Sequence, residues 1–122
     1  MSDNFLKIAR KEIQEELDGL EQILARCSDD IDISYNAQQI EKHLHKIKGL
    51  APMMDQKDIG DIANMAETLA KYVIANGMLA GAYQILVESN HVMEEIFNGT
   101  TTLNVSEFKN KLRQTFPDLL DH

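Results

Sequence analysis

Apolar residues in this chain return every three or four positions, and no apolar–polar alternation lasts long enough to make a strand. A helix advances about 100° per residue, so this spacing gathers them on one face. Leu6, Ile13, Leu20 and Cys27 keep heptad spacing with Ala9, Leu17 and Leu24 beside them, which predicts a helix over residues 4–27. Residues 28–36 are polar and rich in turn formers and are expected to form a loop. A second helix is predicted over 37–54, with Ile40, Leu44, Ile47, Ala51 and Met54 as its stripe. Asp55 then stands where an N-cap is wanted. A third helix over 57–75 buries Ile59, Ile62, Ala66, Leu69 and Val73, and Asn76-Gly77 stops it. A fourth, over 79–97, presents Leu79, Ala82, Tyr83, Leu86, Met93, Ile96 and Phe97, and Asn98-Gly99 closes it. Three threonines lead to a short fifth helix, where Asn104 and Glu107 have the spacing of a capping pair. Val105, Phe108, Leu112 and Phe116 lie on its apolar side, and Pro117 ends it.

Four long amphipathic helices on short connections bury their stripes as an antiparallel bundle. The expected fold is therefore all-α: an antiparallel four-helix bundle with a short fifth C-terminal helix. At 122 residues the chain makes one domain and has no room for a nucleotide-binding module beside it. Residues 1–117 are assigned to that domain and 118–122 to a short acidic tail.

A net charge of −8 and a pI near 4.8 argue against nucleic acid or an anionic membrane as partner. The balance reverses locally, in the run Lys42, His43, His45, Lys46 and Lys48. Cys27 is the only cysteine, so no internal disulfide and no cysteine-based zinc site are expected, and its place on an apolar stripe makes it a small core residue. No apolar leader and no run of about 18 apolar residues is present. A soluble, cytoplasmic protein is expected, monomeric as an isolated domain.

The second helix carries the chemistry. His45, Lys48, Gly49 and Pro52 fall within about 100° of arc, off the apolar stripe. That puts an imidazole at the border of the buried face and a cation one turn along. Gly49 has no side chain to block an approach. A helix-interior glycine costs roughly 1 kcal/mol against alanine, so its presence points to something coming close. A neutral imidazole, whose ordinary pKa is about 6.5, is a competent nucleophile near neutral pH. Such a histidine is suited to carry a phosphoryl group between two partners.

The segment His45-Lys46-Ile47-Lys48-Gly49-Leu50-Ala51 resembles the His-x-x-Lys-Gly-x-Ala/Ser motif of histidine phosphotransfer (HPt) domains. It is most similar to the amino-terminal phosphorylation-site domain of chemotaxis kinases of the CheA type. Phe5-Leu6, the Glu-Glu-Leu and Leu-Glu rhythm of residues 15–21, and residues 59–69 share the likeness, which covers roughly residues 4–97. The resemblance implies that His45 accepts the phosphoryl group and that Glu67 holds the second ring nitrogen. It also implies that Lys48 offsets phosphoryl charge. The implied partners are a histidine kinase ATP-binding domain as donor and the aspartate of a response-regulator receiver domain as acceptor. Neither a cofactor nor a metal of its own is implied, and the chain has no glycine-rich phosphate loop, so it is expected not to be an enzyme by itself. One position departs from the pattern: Asn64 stands where these domains often carry a second histidine. It can hydrogen-bond but not titrate, which makes it a candidate supporting residue beneath the site.

Leu50, Pro52 and Met53 form a candidate apolar docking patch at the end of the motif helix. His43 lies about 200° around the helix from His45, so the two cannot share an ion, and it reads as a flank residue. Glu88 and His91 match half of a di-iron bundle signature, but no second Glu-x-x-His exists. The competing function is a helical adaptor without phosphate chemistry that only docks signalling partners.

Overall fold

The computed structural model describes residues 3–100 and 104–120, and every regular element among them is helical. In chain order these are α1 (Asp3–Ala25), α2 (Asp30–Leu50), a 3-10 turn (Ala51–Met54), α3 (Lys57–Asn76), α4 (Ala82–Asn98), α5 (Val105–Thr115) and α6 (Pro117–Leu120). No helix among them is long and apolar enough to cross a membrane.

The stripe of α1 is buried from Ala9 through Ile13, Leu17 and Leu20 to Ile23 and Leu24. Leu6, expected on that stripe, is 37% exposed, so the helix begins outside the core. Cys27 lies beyond the end of α1 yet is buried, with Sγ 3.4 Å from the Ile23 carbonyl. Burial, then the charge of Asp32, pushes its thiol pKa up, as befits an inert core residue.

Residues 28–36 are not the expected loop, because α2 starts at Asp30. Asp29 is its N-cap and accepts from the Asp32 amide at 2.9 Å. Asp30 and Asp32 sit in the first turn, where carboxylates favour the positive end of the helix. At the other end Pro52 has no amide proton to continue the ladder, and the chain tightens into the 3-10 turn. That turn ends at Asp55 in the left-handed region (φ 58°), so Asp55 does not cap α3 as expected. Gln56 holds the N-cap position without a side-chain bond.

The start of α4 is set from a distance. Asp30 accepts from the amides of Gly81 (2.9 Å) and Tyr83 (2.8 Å), so a carboxylate on α2 caps α4, which begins at Ala82 rather than near Leu79. Asn104 accepts from the Glu107 amide at 3.2 Å, as the sequence predicts for α5. Beyond Phe116 the chain forms α6 instead of trailing away. Leu120 is buried and α6 packs on α3. Residues 101–103, which include Thr101 and Thr102, and His122 at the end of the acidic tail lie outside the described residues.

Contacts run α1 to α2, α2 to α3, α3 to α4 and α4 back to α1, closing a ring of four helices. Leu44, Ile47, Ala51, Ile62, Leu69 and Leu86, all expected inside, are buried in it. Each fully buried aliphatic side chain of this kind contributes about 1.5–3 kcal/mol. The His43 imidazole of α2 lies against Gly19 of α1, where a Cβ would fall 2.6 Å from its Cε1. His43, read from sequence as a flank residue, is half-buried there with Nδ1 2.8 Å from Glu16 Oε1. Lys109 ties α5 to α3 through Asp58 (2.7 Å) and Asp61 (2.8 Å).

Candidate functional site

His45 follows the buried Leu44 on α2, at the border between the stripe and solvent, and its side chain is 63% exposed. Facing it on α3 is a strip of small buried residues, Ala63, Ala66 and Ala70. Small side chains let the two helix backbones approach, and Glu67 in that strip reaches the border from below. Its side chain is only 2% exposed, and Oε2 lies 2.7 Å from His45 Nδ1. Lys48, one turn along α2, donates to the other oxygen, Oε1, at 2.5 Å.

One buried carboxylate thus holds both residues of the motif. Burial alone would push the Glu67 pKa up, but hydrogen bonds from Lys48, Glu41 and His45 outweigh it and hold the group below its ordinary value. An ionised carboxylate only accepts, so His45 Nδ1 carries the proton and donates it. The lone pair is then on Nε2, which has no hydrogen-bond partner among the described residues. This is the tautomer a nucleophilic imidazole needs.

Two residues escaped the sequence reading. Glu41 lies one turn before His45 on α2, and one oxygen of it falls within 4.8 Å of the His45 and Glu67 donor atoms. Burial, then its hydrogen bond to Glu67 and that group's charge, pushes the Glu41 pKa up, so a proton shared by the pair stays on Glu41. Lys71, one turn beyond Glu67 on α3, has Nζ 3.9 Å from Oε2. The spacing was legible: Glu41 is four residues before His45 and Lys71 four after Glu67. Glu41, His45 and Glu67 offer one donor atom each to a metal ion, yet Lys48 and Lys71 already supply cationic charge at Glu67. The cluster reads as a proton and charge network.

Lys48 is one-third exposed, with its ammonium directed at Glu67. Gly49 is exposed, and a Cβ there would meet nothing within 4 Å. Packing among the described residues therefore does not require glycine there. Asn64 is exposed on α3 and lines a cleft with Lys48, Pro52, Gly60 and Asp61, while the bonds of His45 and Lys48 go to Glu67. The three expected docking residues divide between two clefts. Leu50 is half-buried and shares one with His45, Gly49, Glu12 and Glu15, whereas Pro52 lines the Asn64 cleft. Met53 is 42% exposed beside them. His91 pairs with Glu95 at 2.7 Å, within its own helix. No protein-family model, curated protein or solved structure matches the chain.

Proposed function

We propose that this protein is a phosphocarrier of the histidine phosphotransfer type, built as an antiparallel four-helix bundle flanked by α5 and α6. The observation that carries this reading is the exposed His45 ring, held through Nδ1 by the buried, ionised Glu67 with Nε2 free. The closed ring of helix contacts and the short connections between α1, α2, α3 and α4 support the bundle. The motif from His45 to Ala51 supports the family.

In this reading Nε2 attacks the γ-phosphorus of ATP held by a histidine kinase ATP-binding domain, and the bond from that phosphorus to the bridging oxygen breaks as ADP leaves. As the N–P bond forms, the ring takes on positive charge, which the Glu67 carboxylate stabilises from the Nδ1 side. Lys48 keeps that carboxylate ionised and oriented and, one turn along α2 from His45, offsets the charge of the phosphoryl oxygens once they arrive. The group then passes to an aspartate on a receiver domain, whose own Mg²⁺ and carboxylates belong to that partner. Gly49 leaves the face open, with Leu50 in the same cleft as His45 and Pro52 in a second one, and Leu50, Pro52 and Met53 serve as docking residues. The setting this implies is the cytoplasm, with the domain acting as a monomer.

The test is a labelled relay. A histidine kinase catalytic domain with ATP should load His45, and a receiver domain should unload it. His45→Gln should block both steps while the helical content stays the same.

A further inference from the structure

On the seam between α1 and α4, away from the His45 site, three acidic groups gather. Asp18 and Glu21 come from α1 and Glu94 from α4, and one oxygen of each lies within 4.8 Å of the others. Among the described residues no Lys or Arg forms an ion pair with any of the three. The nearby His91 is engaged by Glu95, and Gln14 occupies just one oxygen of Asp18, at 2.9 Å.

A second observation points the same way. Glu21 and Glu94 line a cleft together with Asn90, which is only 5% exposed. Asn90 Oδ1 is buried there without a hydrogen-bond partner, and so is Glu94 Oε1. An orphaned buried acceptor costs about 1–3 kcal/mol, so native chains rarely leave two on residues of one cleft. A bound cation would satisfy these buried oxygens and offset the charge of the carboxylates around them at once.

We propose that the α1–α4 seam is a divalent-cation site, with Asp18, Glu21 and Glu94 supplying carboxylate oxygens and Asn90 Oδ1 a neutral carbonyl. An all-oxygen donor set with no thiol or free imidazole selects a hard ion. Ca²⁺ fits best, because it accepts carboxylate and amide oxygens in irregular geometry and leaves its remaining positions to water. The bound ion joins α1 to α4, the two helices that close the ring, and stabilises the folded chain by mass action. This inference is independent of the phosphocarrier reading, since none of its residues touches His45.

The experiment is calorimetric titration of the chelator-treated full chain with Ca²⁺, with thermal unfolding followed in parallel. One equivalent should bind and raise the unfolding midpoint. Glu94→Gln and Asn90→Ala should each weaken binding by about tenfold or more, at least the loss seen for residues that merely orient a metal's ligands. Mn²⁺ added to the wild-type chain needs no variant: its paramagnetism should broaden the NMR signals of Asn90 and Glu94 and spare those of His45. The proposal is overturned by an absence of heat and midpoint shift up to about 10 mM Ca²⁺, beyond the weakest range of protein calcium sites. Binding that survives both substitutions, or Mn²⁺ broadening centred on Glu41, His45 and Glu67, overturns it equally.

Discussion

His45 Nδ1 lies 2.7 Å from Oε2 of Glu67, so an imidazole mostly in water is anchored on a carboxylate almost wholly out of it. That asymmetry fixes the tautomer while leaving the ring exposed on its Nε2 side. Glu67→Gln keeps the shape but lets the amide either donate or accept. The substitution should move the ¹⁵N shifts of His45 toward the Nε2–H tautomer and slow phosphoryl acceptance by roughly 10–100-fold, equivalent to about 1.4–2.8 kcal/mol. Unchanged ring shifts in this variant would mean that Glu67 does not orient the histidine.

Gly49→Ala separates folding from recognition. A Cβ at Gly49 meets nothing within the chain, so the folded state should gain up to about 1 kcal/mol from helix propensity. Loading by a kinase domain should nevertheless slow, because the methyl group stands on the face a partner must approach. Acceptance from a small phosphodonor should not change. A variant that is both more stable and equally fast with a protein donor would remove Gly49 from the docking face.

The α1–α4 seam makes stability pH-dependent when divalent cations are chelated. Burial, followed by the charge and hydrogen bond of Glu21 and the charge of Asp18, pushes Glu94 up to about 7. A carboxyl raised in the folded state above its ordinary 4.5 keeps its proton when folded at pH values where the unfolded chain has lost it. Its contribution is complete below about 4.5 and disappears as pH rises through about 7. Denaturant titrations should therefore show the wild type losing stability across that interval, and Glu94→Gln, which cannot ionise, losing less. Parallel pH profiles for the two proteins would contradict the assignment.

Lys109 is the fastening of α5. Burial alone would lower its pKa, but hydrogen bonds to Asp58 and Asp61 outweigh this and raise it, so it is held charged against α3. Asp58 is half exposed, which limits the value of the pairing. Lys109→Ala should cost about 1–2 kcal/mol. Hydrogen exchange should accelerate across α5 and remain unchanged in α1 and α2. Uniform acceleration through the whole chain would show that α5 is part of the cooperative core instead.

Helix periodicity made the main elements and most of their buried faces legible, because the stripes of α1, α2, α3 and α4 are long and regular. The errors fell where polar residues act through partners. Asp29, Asp30 and Asp32 look like turn formers, yet they start α2, since the same short acidic side chains serve N-caps and first turns. Asp30 also caps α4 across 51 positions of sequence, and no local pattern reveals such a bond. Asp55 failed as a cap because Pro52 tightened the chain before it and turned it left-handed. At the site, the motif and the resemblance together picked out His45, Lys48 and Glu67. The spacing of Glu41 and Lys71 was visible, but nothing in it distinguished them from ordinary surface charges. Lys48 is a different case. Its position was legible and its direction was not, because a lysine stem reaches either solvent or a buried carboxylate, and only the packing of α3 decides between them.

In the proposed function His45 Nε2 is the phosphoryl acceptor. Phosphoramidate tests it without a partner: its P–N bond breaks, ammonia leaves and the phosphoryl group moves to nitrogen. ³¹P NMR and mass spectrometry of the treated chain should find one phosphoryl group, at His45, labile to acid and stable to base. The adduct should be absent from His45→Gln. No phosphohistidine in the wild type, or an undiminished adduct in His45→Gln carried by His91, would contradict the account.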